Sequence, residues 1–153
     1  MPDFTPRLFS NDAEVRRIGA GLLSCHLPRS DWTHEAHIAA CGWLIRERPE
    51  ITPELEMPGI IRAYNESVGG INDDMQGYHE TITQHYISAV RRQLASCADD
   101  LALYQAVNIV LQSPAGKRDW LLQYYSRDLL FSVDARRRFI PPDLRQLPTP
   151  TPN

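Results

Sequence analysis

Apolar residues recur along most of the chain at three- and four-residue spacing, the period of an amphipathic helix, and no stretch alternates as a half-buried strand does. Asn11 or Asp12 can cap a first helix whose stripe is Val15, Ile18, Gly19 and Leu22, ending near His26-Leu27-Pro28. Ser30, Asp31 and Thr33 offer capping oxygens for a second helix, which carries Ile38, Cys41, Leu44 and Ile45 on one face and runs through Glu47 until Pro49 stops it. A third follows Thr52-Pro53, the N-cap and N1-proline arrangement, with Ile60, Ile61, Tyr64 and Val68 on its buried side. Pro58 predicts a kink there, or a later start near Met57.

Gly69-Gly70 end that helix, and the stretch from Ile71 to Gly77 reads as a loop. The spacing of Ile82, Tyr86, Ile87, Val90 and Leu94 predicts a fourth helix over roughly 78–96. A fifth begins near Asp99 or Asp100, uses Leu103, Ala106, Val107 and Val110, and breaks at Ser113-Pro114-Ala115-Gly116. Trp120, Leu121, Tyr124 and Tyr125 open a further helical segment that can restart at Ser126 and reach Phe139. The expected fold is all-α: a single-domain helical bundle of five to seven helices over residues 1–147, with a proline-rich C-terminal tail. Leu144 and Leu147 are expected to anchor the start of the tail on the bundle. Residues 148–153 are expected to be extended and flexible.

Composition narrows the class without changing this picture. The 153 residues are 42% apolar and 23% charged, which suits one globular domain and excludes disorder as the main state. Sixteen basic against nineteen acidic residues leave a net charge of −3, with no electrostatic footprint for nucleic acid. No apolar run is long enough to span a membrane, and the N-terminus is no signal peptide. Three scattered cysteines without a CxxC pair fit a reducing, cytoplasmic setting.

The candidate chemistry lies in the five histidines, at positions 26, 34, 37, 79 and 85. His34 and His37 are about 60° apart on a helix, on the same side as Ile38, Cys41 and Ile45. His79 shares a face with Tyr86 and Val90 if it lies in the fourth helix, whereas His85 faces away. His26 closes the first helix, where an imidazolium favourably meets the dipole. Three inward imidazoles on two helices are a donor set for a divalent transition metal such as zinc, iron or nickel, with copper also compatible. Three protein ligands leave a coordination position open. Glu35 and Glu80 directly follow His34 and His79, and either is placed to be a fourth ligand, a general base or a partner for a ring N–H. Without a metal the same residues form a buried His–Glu network.

Other residues carry weaker signals. Tyr78 adjoins His79 at a loop-to-helix junction and is a candidate substrate wall. Of the basic run Arg136, Arg137 and Arg138, Arg137 falls on the core side if Leu130 and Val133 do, which makes it the candidate for an anionic substrate group. Cys41 reads as a small buried residue, with a soft metal ligand as its alternative. Ser126 reads as a helix cap, and Asp73 and Asp74 as turn residues.

The blocks Trp32-Thr33-His34-Glu35-Ala36-His37 and Gly77-Tyr78-His79-Glu80-Thr81-Ile82-Thr83, with the closing Phe139-Ile140-Pro141-Pro142-Asp143-Leu144, resemble a family of small bacterial helical proteins. That resemblance spans most of the chain and implies that the two histidine blocks belong together. The site is similar to that of the DinB-like bundles, in which three histidines hold a metal in the bundle core. The expected function is a small metalloenzyme in which His34, His37 and His79 hold the ion and Glu80 or Glu35 moves a proton. Hydrolytic water activation is the favoured chemistry, with oxygen chemistry as its iron version. The alternative is a non-catalytic metal- or ligand-binding module acting through a homo-oligomer. The expected partner is a small molecule, with neither nucleic acid nor membrane.

Overall fold

Capping side chains set the ends of most helices. In the computed structural model, which describes residues 5–147, the Asn11 side chain accepts the Glu14 N–H at 2.9 Å and starts α1 (Asp12–Ser24). Thr33 does the same for α2 (His34–Glu47), accepting the Ala36 N–H at 3.1 Å. Pro53 occupies the first position of α3 (Pro53–Ser67). Beyond it come α4 (Glu80–Ser96), α5 (Leu103–Gln112), α6 (Arg127–Leu130) and α7 (Val133–Arg137). Short 3-10 turns lie at Arg29–Asp31, Pro114–Gly116 and Trp120–Gln123. The described residues form a helical bundle without strands, and none of their helices is long and apolar enough to cross a membrane.

The central element is α2, which packs against α1, α3, α4 and α5. Its stripe is wider than the periodicity implies: Ala36, Ala39 and Ala40 are buried together with Ile38, Cys41, Trp43 and Leu44. Small side chains on several faces let neighbouring helices close in from each side. The crossing with α1 is tight at Gly19, where a Cβ would stand 2.3 Å from Cε3 of Trp43. Val15, Ile18 and Leu22 bury on α1 as their spacing predicts, as do Leu103, Ala106, Val107 and Val110 on α5.

Pro58 neither breaks α3 nor delays its start. A proline at this position denies its N–H to the carbonyl four residues earlier, that of Glu54. Gln84 of α4 supplies the missing donor, its Nε2 reaching the Glu54 oxygen at 2.9 Å. The helix interruption becomes a link between α3 and α4, reinforced by Arg91, which grips the Glu54 carboxylate at 2.7 and 3.0 Å.

The segment from Trp120 to Phe139 is not the long helical stretch expected. It divides into a 3-10 turn and two helices of four and five residues, because Ser126 and Ser132 each cap a new start. Ala115, Trp120, Leu121, Tyr124, Tyr125 and Leu130 bury as a second core, with Ile82, Tyr86, Ala89 and Leu147 against it. Leu147 thus anchors the segment after α7, whereas Leu144 is 58% exposed and contributes its backbone N–H to the Tyr124 carbonyl at 2.9 Å. Residues 148–153, expected to be flexible, lie outside the described residues.

Candidate functional site

The His34–His37 pair is where the helical angles place it. A cavity of about 340 Å³ lies between the first half of α2, the middle of α3 and the first half of α4. That volume falls in the range of small-molecule sites. Trp32, His34, His37, Ile38 and Cys41 form one side of it, Met57 and Ile61 a second, and Ile82, Thr83, Tyr86 and Ile87 the third. Both histidines belong to the first turn of α2, so the Thr33 cap also aims the pair.

Each ring is held from behind. His34 Nε2 lies 2.8 Å from the Gly116 carbonyl, and Tyr86 meets the same ring edge-on at 5.7 Å. His37 Nδ1 lies 2.6 Å from the Thr33 carbonyl, and its ring stacks on Trp32 with centroids 3.7 Å apart. By area His37 is exposed, yet protein crowds its ring, and its accessible surface is cavity wall. That burial pushes the imidazole down to about 4, against the pull of the Thr33 carbonyl and with a small further fall from the His34 ring. His37 is therefore neutral at pH 7, and as a base it is weak. The Cys41 thiol is pushed up to about 12 by its burial, so it stays protonated and serves as a small apolar wall.

His79 does not join the pair. It is not within α4 but at its N-cap, with φ −131° and ψ 111°, so the helical angle assigned to it does not apply. Its Nδ1 accepts the Ile82 N–H at 3.2 Å and its Nε2 donates to the Leu130 carbonyl at 2.7 Å. Both ring nitrogens are spent, and a ligated metal would have to break the cap. Burial lowers this imidazole too, the Leu130 carbonyl opposing and Arg136 adding to the fall. Among the described residues no group of three or more His, Cys, Asp or Glu is placed to hold a metal ion. The donor set expected from the sequence does not fit a metal in this arrangement.

The remaining candidates are dispersed as well. Glu80 accepts the Tyr78 hydroxyl at 2.5 Å and Gln84 Nε2 at 3.2 Å. Tyr78 is buried beneath Arg62, whose guanidinium stands 4.8 Å from the ring centroid, and it is no cavity wall. Glu35 points to the other side of α2, into a cleft with Arg17 and Asp31, and meets Arg118 at 3.8 Å. Arg137 is committed to Asp74 through a two-point pair at 2.7 and 2.5 Å. The premise that put Arg137 on the core side fails, because Val133 is 38% exposed. Gly77, with φ +87°, is pinned in its turn by Arg136, which donates to its carbonyl at 2.9 Å.

His85, expected to face away, is instead half-buried under the C-terminal segment. Tyr125 donates its hydroxyl to the Ile140 carbonyl at 2.5 Å, so at 2.7 Å from His85 Nε2 it accepts the ring N–H. Phe139 covers the ring at 5.0 Å. Burial pushes this imidazole down to about 4. Sequence reasoning also missed the α3 and α4 walls of the cavity. Met57, Ile61, Ile82 and Ile87 carry the pattern of ordinary core residues, and no local signal separates a core face from a cavity face. Comparison with known proteins returned no matching family model, no matching curated protein and no matching solved structure.

Proposed function

We propose that the protein binds a small, uncharged, mostly apolar molecule in the cavity between α2, α3 and α4. The observation that carries this reading is a cavity of about 340 Å³ whose largely aliphatic and aromatic wall holds two fixed imidazoles. Apolar walls supply affinity in proportion to the surface they remove from water, and a few placed polar groups orient the ligand. Binding is favoured over catalysis because the groups needed for proton transfer are elsewhere. Glu80 and Glu35 do not line the cavity, and His37 is held near 4. The free state of Cys25, Cys41 and Cys97 supports a cytoplasmic setting for this activity.

The test is a calorimetric titration with neutral ring compounds such as naphthalene. The wild-type chain is expected to bind them, and Thr83→Trp, which fills the cavity from α4, to weaken binding at least about tenfold. A wild-type protein that takes up none of them overturns the reading. A second reading, a divalent transition metal on His34 and His37 alone, is favoured by one observation. Both rings are braced by backbone carbonyls, as metal-binding imidazoles are. It requires zinc or nickel to raise the melting temperature of wild type and not of His37→Ala.

A further inference from the structure

We infer that the cavity selects a hydroxyl: its ligand has an apolar, ring-sized body and an alcohol or phenol group that donates to one imidazole of the pair. This rests on the proposed small-molecule site and names the class of molecule it takes.

The argument is one of hydrogen-bond valence. A carbonyl oxygen only accepts, so the nitrogens facing Gly116 and Thr33 must carry the ring protons. A neutral imidazole has a single N–H, and both rings have spent theirs on backbone. What remains is one bare lone pair on each, at His34 Nδ1 and His37 Nε2, and no donor among the described residues meets either. Among the described residues no Asp, Glu, Lys or Arg lines the cavity. A charged ligand would be stranded there, and no carboxylate stabilises an imidazolium.

The remaining polar groups on the wall sharpen the choice. Tyr86 donates its hydroxyl to the Lys117 carbonyl at 3.1 Å, so its proton is also spent. The Thr83 hydroxyl is engaged with Tyr78, whereas Trp32 keeps an indole N–H able to donate. A ligand that only accepts, such as an ether or ketone, leaves the imidazole lone pairs unmet. One that only donates leaves Trp32 unmet. A hydroxyl gives its proton to one imidazole and offers its own lone pair to the Trp32 N–H. The Trp32 and Tyr86 side chains and the aliphatic residues of α3 and α4 that line the cavity take the ring-sized body.

The experiment compares three probes on the full chain by calorimetry: 2-naphthol, 2-methoxynaphthalene and naphthalene. The naphthol is expected to bind at least about fivefold tighter than the methyl ether, since leaving a desolvated acceptor unpaired carries a penalty of that order. The ether is the more apolar of the two, so hydrophobic transfer alone would favour it and the expected order runs against that bias. In His37→Phe the preference is expected to shrink without vanishing, because the His34 Nδ1 lone pair remains. Should that variant not fold, the wild-type series still decides. Equal binding of naphthol and ether, or tighter binding of the ether, overturns the hydroxyl assignment and leaves the cavity reading intact. Binding of none of the three overturns both.

Discussion

His79 shows how one residue can satisfy every sequence criterion for a ligand and still serve the backbone. A helix leaves its first N–H groups unpaired, and an imidazole nitrogen can accept one as a serine oxygen does. Here Nδ1 takes the Ile82 N–H, while the opposite nitrogen ties α4 to the Leu130 carbonyl. His79→Ala is expected to lower stability by about 1–2 kcal/mol, the range of a lost cap, and His79→Asn to recover part of it. Urea denaturation measures both. Naphthalene binding should be unchanged in the alanine variant, and its loss would return His79 to the site. His34 and His37 differ in that each has one nitrogen left over, which is why they carry the site and His79 does not.

At the scale of elements, the link between α3 and α4 depends on a defect. Proline inside a helix ordinarily costs about 3 kcal/mol, part of it the orphaned carbonyl. Gln84 meets that carbonyl from the neighbouring helix. Gln84→Ala is expected to cost about 1 kcal/mol in the native background, the net worth of an ordinary hydrogen bond. In a Pro58→Ala background the cost should shrink, because the backbone N–H restored at that position can take over the Glu54 oxygen. A double-mutant cycle measures the coupling, and strictly additive effects would refute the proline–glutamine partnership. The link also joins two of the three helices that wall the cavity, so the cycle should be repeated with bound naphthalene.

At the scale of the whole molecule, the C-terminal segment is fastened across α4. Thr81 sits between the Ala135 and Arg138 carbonyls at 2.7 and 2.9 Å and accepts the Ile140 N–H at 3.1 Å. Beside it runs the relay from His85 through Tyr125 to Ile140. His85 is held near 4, against an ordinary histidine value of 6.5. Between those values the unfolded chain binds the proton that the native state refuses. The stability this group contributes is complete above about pH 6.5 and is lost as pH falls toward 4. The melting temperature is therefore expected to drop between pH 7 and pH 4.5, and His85→Gln to flatten part of that slope. His37 and His79 act with the same sign, so some slope should persist. A slope unaltered in His85→Gln would remove His85 from the account.

Local pattern alone determined the helical class, the stripes of α1 and α5, the Ser126 cap and the placement of His34 beside His37, and it narrowed the first two caps to short sets from which the structure selects Asn11 and Thr33. Those features depend on residues within one or two turns of each other, and periodicity reports them directly. The tertiary structure decided the rest. Whether His79 stood inside α4 or capped it depended on where that helix begins, and its Leu130 partner lies 51 residues away. Arg137 turned to Asp74 across a separation of 63 residues, and His85 met Tyr125 across 40. The cavity itself has no sequence signature, because its walls are apolar residues spaced like any core. It exists because three helices fail to close completely around the His34–His37 end of α2, and only their packing sets that distance.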